Sequence, residues 1–357
     1  MKRNLLICLI ALTFSAICSA SPLSMLDKRL NNPPPRIIRT CCSFGVKVKM
    51  SVIPFVKYSD ISGPELIGPH KFLGSRQEGN GIIYTRKGGF VDIGHVRDQA
   101  DWTAFLYNLI IKNKSKNQSL VQLKLGYEGG LKTLNVNIPN QLSNEDIMVI
   151  AGRIAYDLSV WHEIGTWNGT SLVPLLPEKY SAFSIEDGFS NLLGIRLGIE
   201  ALKSDLPYEE AMTELVKREL VVLDALPSKS ETFKAMMEVE GDWWSLRERL
   251  PSKNLMKKRE FNLYPCITPV LLHGEELAES TLCLPSMSGH EDPNDYYRIH
   301  ILINHKFPVK EIFSDNHKKI ITQLDFPSLI KYAAEESRKY FDDVVYKPYP
   351  LRKKVKV

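Results

Sequence analysis

Between Ser143 and Leu226 the chain reads as successive apolar helices, while the stretches on either side read as strands. That contrast constrains the fold more than any other feature. Ser143 with Asp146 resembles a capping box and opens a helix running to about Trp167. Ser184 with Asp187 repeats the signal ahead of a helix over residues 188–203. Pro207 opens a third helix ending near Leu226, and residues 230–240 make a fourth. Upstream, Val46, Val48, Met50 and Val52 alternate with polar residues, and Asn80-Gly81 is a turn signal before Ile82, Ile83 and Tyr84. Residues 94–112 have helical spacing, with Val96, Ala100, Ala104, Tyr107 and Ile111 on one side. Val121, Leu123, Leu125 and Tyr127 alternate, as do Leu134, Val136 and Ile138, and Glu128-Gly129-Gly130 between them predicts a β-hairpin. Residues 251–295 read as irregular, 297–303 as a strand and 327–341 as a last helix. Strands segregated from helices predict an α+β fold, a helical centre flanked by strands and a β-hairpin.

The first residues, Met1-Lys2-Arg3, precede an apolar run from Leu5 to Ile17 and the small residues Ser19 and Ala20. A basic start, a short apolar core and a small-residue site predict a signal peptide, residues 1–20, cut after Ala20. Ile17 is too large for the position before a lipidated Cys18. An extended lead-in over residues 21–39, with Pro33-Pro34-Pro35, comes next. A single α+β domain is expected over 40–345, or two packed lobes meeting near 250, followed by a basic tail, 346–357. Removing Lys2 and Arg3 lowers the formal charge from +5 to +3, which argues against a nucleic-acid partner. No later stretch approaches the ~18 apolar residues of a membrane span. The expected localisation is export, to the periplasm or the medium.

Export leaves four cysteines, Cys41, Cys42, Cys266 and Cys283, in an oxidising compartment. Cys266 and Cys283 flank a segment rich in Pro, Gly and acidic residues and are the first choice for a disulfide. Cys41 and Cys42 are adjacent, and a vicinal bond is strained.

Trp161-His162-Glu163-Ile164-Gly165-Thr166-Trp167 carries the most chemistry. His162 follows Ala151, Ile154, Ala155 and Leu158 on an apolar stripe, so its ring should face the interior, with Glu163 beside it. A buried carboxylate has to be paired, hydrogen-bonded, protonated or metal-bound. Glu186 and Asp187 stand at the start of the next helix, at the separation at which zinc peptidases of the thermolysin type place a third ligand. There the first Glu deprotonates a zinc-bound water. The pattern breaks at Thr166, which stands where the second His would be. His95, in the run Asp92-Ile-Gly-His-Val-Arg-Asp98, is the candidate replacement, with Asp92 as N-cap and Asp92 or Asp98 orienting the ring. The bland readings are a buried His–Glu pair and a solvent-facing cap cluster.

Several long motifs resemble an exported bacterial family of unknown function. They are Cys41-Cys-Ser-Phe-Gly45, Glu78-Gly-Asn-Gly-Ile-Ile-Tyr-Thr85, the run from Gly88 to Asp98, Trp161 to Trp167, and Ser184 to Gly194. The resemblance spans about residues 36 to 205. It implies a bacterial envelope protein and names no activity.

The leading expectation is a metal-dependent hydrolase of amide or peptide bonds in the cell envelope. Zinc would be held by His95, His162 and Glu186, with Glu163 as general base and Asp92, Asp98, Thr166 and Asp187 in supporting positions. Its substrate would be an envelope peptide or peptidoglycan. One rival is a Cys-His hydrolase using Cys41 or Cys42, with His95, His162 or His300 as base. Another is a non-catalytic envelope binding protein, for which Trp243-Trp244 could line a groove, although such pairs are more often core.

Overall fold

The computed structural model describes residues 28–35, 38–39, 43–46, 60–170, 181–245, 256–274, 277–289, 291–305, 307–314 and 317–339. The alternation of Val46 to Val52, the signal peptide, Cys41, Cys42 and the basic tail lie outside them, apart from Val46 itself.

The first described strands, β1 (Ile82–Thr85) and β2 (Gly89–Asp92), pair antiparallel with Ile82 opposite Asp92. Helix α1 (Ile93–Lys114) leaves β2 without a loop, because Asp92 is both the last strand residue and the N-cap: its side chain accepts from the amides of Gly94 and His95. Strands β3 (Leu120–Tyr127) and β4 (Gly130–Asn137) form the hairpin read from the alternation, with Gly129 at φ +64° in its turn. Four helices come next, α2 (Asn144–Trp167), α3 (Asp187–Lys203), α4 (Tyr208–Val222) and α5 (Lys229–Glu238). The segment expected to be irregular contains two short paired strands, β5 (Cys266–Ile267) and β6 (Leu282–Cys283), with Cys266 and Cys283 joined as a disulfide. Strand β7 (Tyr297–Ile303), the single-turn α6 (Val309–Ile312), β8 (Ile320–Ile321) and α7 (Phe326–Arg338) complete the chain.

The fold is α+β. Strand β7 pairs antiparallel with β4 although some 160 residues separate them, so the larger sheet has the order β3-β4-β7-β8. Its inward face, including Leu134, Val136, Ile299 and Ile301, joins the main apolar core around α2. Helix α2 is buried along almost its whole length, so its apolar residues extend well beyond one stripe and its polar residues Asp146, Asp157 and Glu163 are buried with them. Trp243 and Trp244 are 3% and 0% exposed in a second apolar cluster with Phe44 and Phe90, so they are core and not a groove lining. No helix among the described residues is long and apolar enough to cross a membrane.

Two glycines on α3 set the geometry that matters most for the site. A Cβ on Gly194 would fall 2.3 Å from the carbonyl oxygen of Val96, and one on Gly198 would fall 2.9 Å from Cα of Ala100. The backbones of α1 and α3 therefore touch, and His95 is carried against the first turn of α3. The capping box expected at Ser184 is not formed. Helix α3 begins at Asp187, and the Ser184 hydroxyl donates to the Glu186 carboxylate instead of capping.

Candidate functional site

Helices α1, α2 and α3 and the β3–β4 hairpin enclose a cavity of about 80 Å³, room for a few waters or a small polar group. From α1 come His95, Asp98 and Trp102, from the hairpin Glu128 and Lys132, from α2 His162 and Glu163, and from α3 Asn191. Two of the three expected ligands, His95 and His162, and the expected base Glu163 thus share one cavity. The third, Glu186, is 1% exposed and is not part of this cavity wall. A smaller cavity behind it is shared by Glu163, Asn191 and Asp187.

Each imidazole is held through Nδ1. For His95 the partner is Asn191 Oδ1 at 3.1 Å, and for His162 it is Glu128 Oε1 at 2.8 Å. The groups expected to orient His95 are engaged elsewhere. Asp92 is spent on the N-terminal amides of α1, and Asp98 on Arg39, whose Nη1 is 2.8 Å from Oδ1. Arg39 also donates from Nε to Glu78 at 2.8 Å and from Nη1 to Asp101 at 3.0 Å.

On the other side of His95, Nε2 lies 3.5 Å from Asp187 Oδ1, and that oxygen is buried with no hydrogen-bond partner. Asp92 Oδ2 and Glu186 Oε1 are likewise buried and unpartnered. Glu163 accepts the amide of Phe183 at 2.5 Å. Four carboxylates, Asp92, Glu163, Glu186 and Asp187, are thus each 4% exposed or less beside one imidazole. Their electrostatics follow. Burial pushes Asp187 well above the usual carboxylate range, and Glu186, Glu163 and Asp92 push the same way. Burial raises Glu186 to about 8 against the Ser184 hydrogen bond. Burial alone would lower the pKa of His95, but the charges of Asp92, Glu163 and Asp98 and the bond to Asn191 raise it instead. Asp98 is raised to about 6 by burial, with Arg39 pulling the other way. Burial lowers Arg259 to about 10, with the charge of Glu163 pulling the other way. A site with more buried carboxylate than cation holds either protons or a bound positive charge.

Thr166 is 2% exposed, its hydroxyl is buried without a partner, and it lines neither cavity. Among the described residues no group of three or more His, Cys, Asp and Glu side chains is already gathered as a metal cluster. Cys41 and Cys42, the candidate nucleophiles, lie outside the described residues, and His300 is on β7, away from the cavity wall.

Sequence reasoning missed Asn191, Glu128 and Lys132. Asn191 stands four residues after Asp187 and so shares its helix face, a signal open to inspection. Lys132 is in phase with Leu134 and Val136, which marks it as inward-facing on β4. Glu128 gave no signal beyond its place in a turn.

A family model described as a protein of unknown function matches residues 30–273. The chain belongs to the DUF4056 family. No curated protein and no solved structure matches it. Every cavity residue from Pro34 to Asn191 falls inside the matched stretch, whereas β7, β8 and α7 fall outside. The cavity thus belongs to the DUF4056 region, and the C-terminal strands complete the sheet beside it.

Proposed function

We propose that the cavity is the catalytic centre of a metal-dependent hydrolase acting on amide or peptide bonds of the bacterial cell envelope, with an envelope peptide or peptidoglycan as substrate. One observation carries the reading: His95 Nε2 and the unpartnered Asp187 Oδ1 are 3.5 Å apart. Two donors around a tetrahedral zinc with bonds of ~2 Å are separated by about that much. His95 also has its Nδ1 fixed by a side-chain oxygen, the usual arrangement behind a metal-bound imidazole. Asp187 then moves from a supporting position to a ligand in place of Glu186, which lines neither cavity, and with His95 and His162 it makes a three-residue set that leaves the fourth position to water. Glu163 is the base, facing both cavities. A bound zinc would lower the pKa of a coordinated water toward neutrality. Export through the signal peptide read from residues 1–20 supports the envelope as the place of action.

The test is elemental analysis of protein purified without a metal-affinity tag, alongside His95→Ala and Asp187→Asn. One bound zinc per chain, lost in both variants while their circular dichroism stays native, is the expected result. Protein that binds no metal, and hydrolyses substrate in the presence of chelator, overturns the reading. Loss of that activity in Cys41→Ser or Cys42→Ser would then identify a thiol enzyme.

A further inference from the structure

We propose that Lys132, acting through Glu128, sets the tautomer of His162, so that the lone pair of its ring stays on Nε2. Both would be positioning residues, and the inference deepens the hydrolase reading above, on which its functional consequence rests.

The three side chains form a chain of contacts within the cavity wall. Lys132 Nζ contacts Glu128 Oε2, and Glu128 Oε1 is 2.8 Å from Nδ1 of His162. Glu128 is only 2% exposed and Lys132 5%. The backbone beneath the carboxylate is pinned as well: the Trp161 indole N–H donates to the Glu128 carbonyl at 2.8 Å, and the Glu128 amide donates to Gly130 at 2.9 Å. Trp161 is itself fully buried and stacked on Phe307. Lys132 reaches the cavity from β4, where Ile301 of β7 is its cross-strand neighbour.

The chemistry is a matter of counting donors and acceptors. An ammonium has three donors and no acceptor, and an ionised carboxylate has acceptors only. Glu128 can therefore accept from Lys132 at one oxygen and from His162 at the other. A neutral imidazole that donates from Nδ1 carries its lone pair on Nε2, the form needed to bind a metal or take a proton. A glutamine at position 128 would have a single acceptor oxygen. Lys132 can only donate, so it would claim that oxygen and leave the amide N–H₂ facing His162. The imidazole would then have to accept at Nδ1 and carry its proton on Nε2, the inactive tautomer. Removing the lysine as well frees the oxygen for His162.

Nitrogen-15 NMR of labelled histidine in the full chain, at a pH where the His162 ring is neutral, reads the tautomer with no need for substrate or metal. His162→Asn provides the resonance assignment. Wild type is expected to show Nδ1–H, Glu128→Gln to show Nε2–H, and Glu128→Gln with Lys132→Met to return to Nδ1–H. Hydrolysis or metal affinity should fall ten- to a hundredfold in the single variant, about the size of such orienting effects, and recover in the double. Wild type with Nε2–H overturns the proposal with no variant at all, as does a Glu128→Gln tautomer that the lysine substitution leaves unchanged. A correct tautomer pattern with no hydrolysis and no metal in any form leaves the positioning role standing and refutes the hydrolase reading.

Discussion

Nε2 of His95 lies 3.5 Å from Oδ1 of Asp187, and the two residues are 92 positions apart in the chain. The contact exists because Gly194 and Gly198 let α3 lie directly on the backbone of α1. Replacing either glycine by alanine would push the helices apart and separate imidazole from carboxylate. Both would meet backbone atoms that cannot rotate away, and Gly194 is the more sensitive because its Cβ would lie 2.3 Å from the Val96 carbonyl oxygen against 2.9 Å from Ala100 Cα for Gly198. Gly194→Ala should destabilise the fold by about 1–3 kcal/mol, the usual cost of overpacking. Urea denaturation would measure the loss.

On the proposed hydrolase reading, Glu163→Gln separates base from ligand. The amide keeps an acceptor for the Phe183 N–H and keeps the shape, but it cannot take a proton from water. Hydrolysis should fall at least a hundredfold, the range of general-base contributions, while bound zinc and melting temperature stay near wild type. Retained activity in this variant would remove Glu163 from the mechanism.

The carboxylate cluster predicts a pH dependence of stability in the metal-free protein. Burial raises Glu186 from an ordinary 4.5 to about 8, and Asp187 shifts the same way. A carboxyl whose folded pKa is raised holds its proton in the native state after the unfolded chain has lost it. Its contribution is complete below about 4.5 and disappears as pH rises through about 8. Stability should thus fall across that window by up to ~1.4 kcal/mol per pH unit for each such proton. The double variant Glu186→Gln with Asp187→Asn should flatten the curve, and so should added zinc. Denaturation curves at several pH values provide the check.

Thr166 occupies the point where the peptidase pattern breaks, and its buried hydroxyl has no partner. Thr166→Val keeps the volume and removes the unsatisfied group. It should stabilise the protein by about 1 kcal/mol and leave metal content unchanged. A ten- to hundredfold loss of metal affinity would instead assign the hydroxyl a role in holding a ligand or water.

Arg39 ties the start of the described chain to Glu78, just before β1, and to Asp98 and Asp101 on α1. Arg39→Met would leave buried carboxylates short of their cation, at a cost of about 3–5 kcal/mol. The urea midpoint should drop accordingly, and Glu78→Gln in the same chain should recover part of the loss.

The sequence by itself determined most of the longer elements, although not the short β5, β6 and β8. Period-2 alternation marked β3, β4 and β7, and the caps at Asp92 and Ser143 marked the starts of α1 and α2, because hydrogen bonding and burial along one element depend on neighbours a few residues apart. It also singled out His162, a polar group on an apolar stripe, with Glu163 beside it, and His95 in the charged run that follows the Asp92 cap. Only the tertiary structure decided their partners. Asn191 rather than Asp92 or Asp98 holds the His95 ring, Glu128 holds that of His162, and Asp187 rather than Glu186 stands against His95 Nε2. Those choices depend on how closely α3 approaches α1 and on where the hairpin tip meets α2. Such distances are set by glycines and packed rings that lie tens of residues from the groups they bring together, and no local pattern in the chain encodes them.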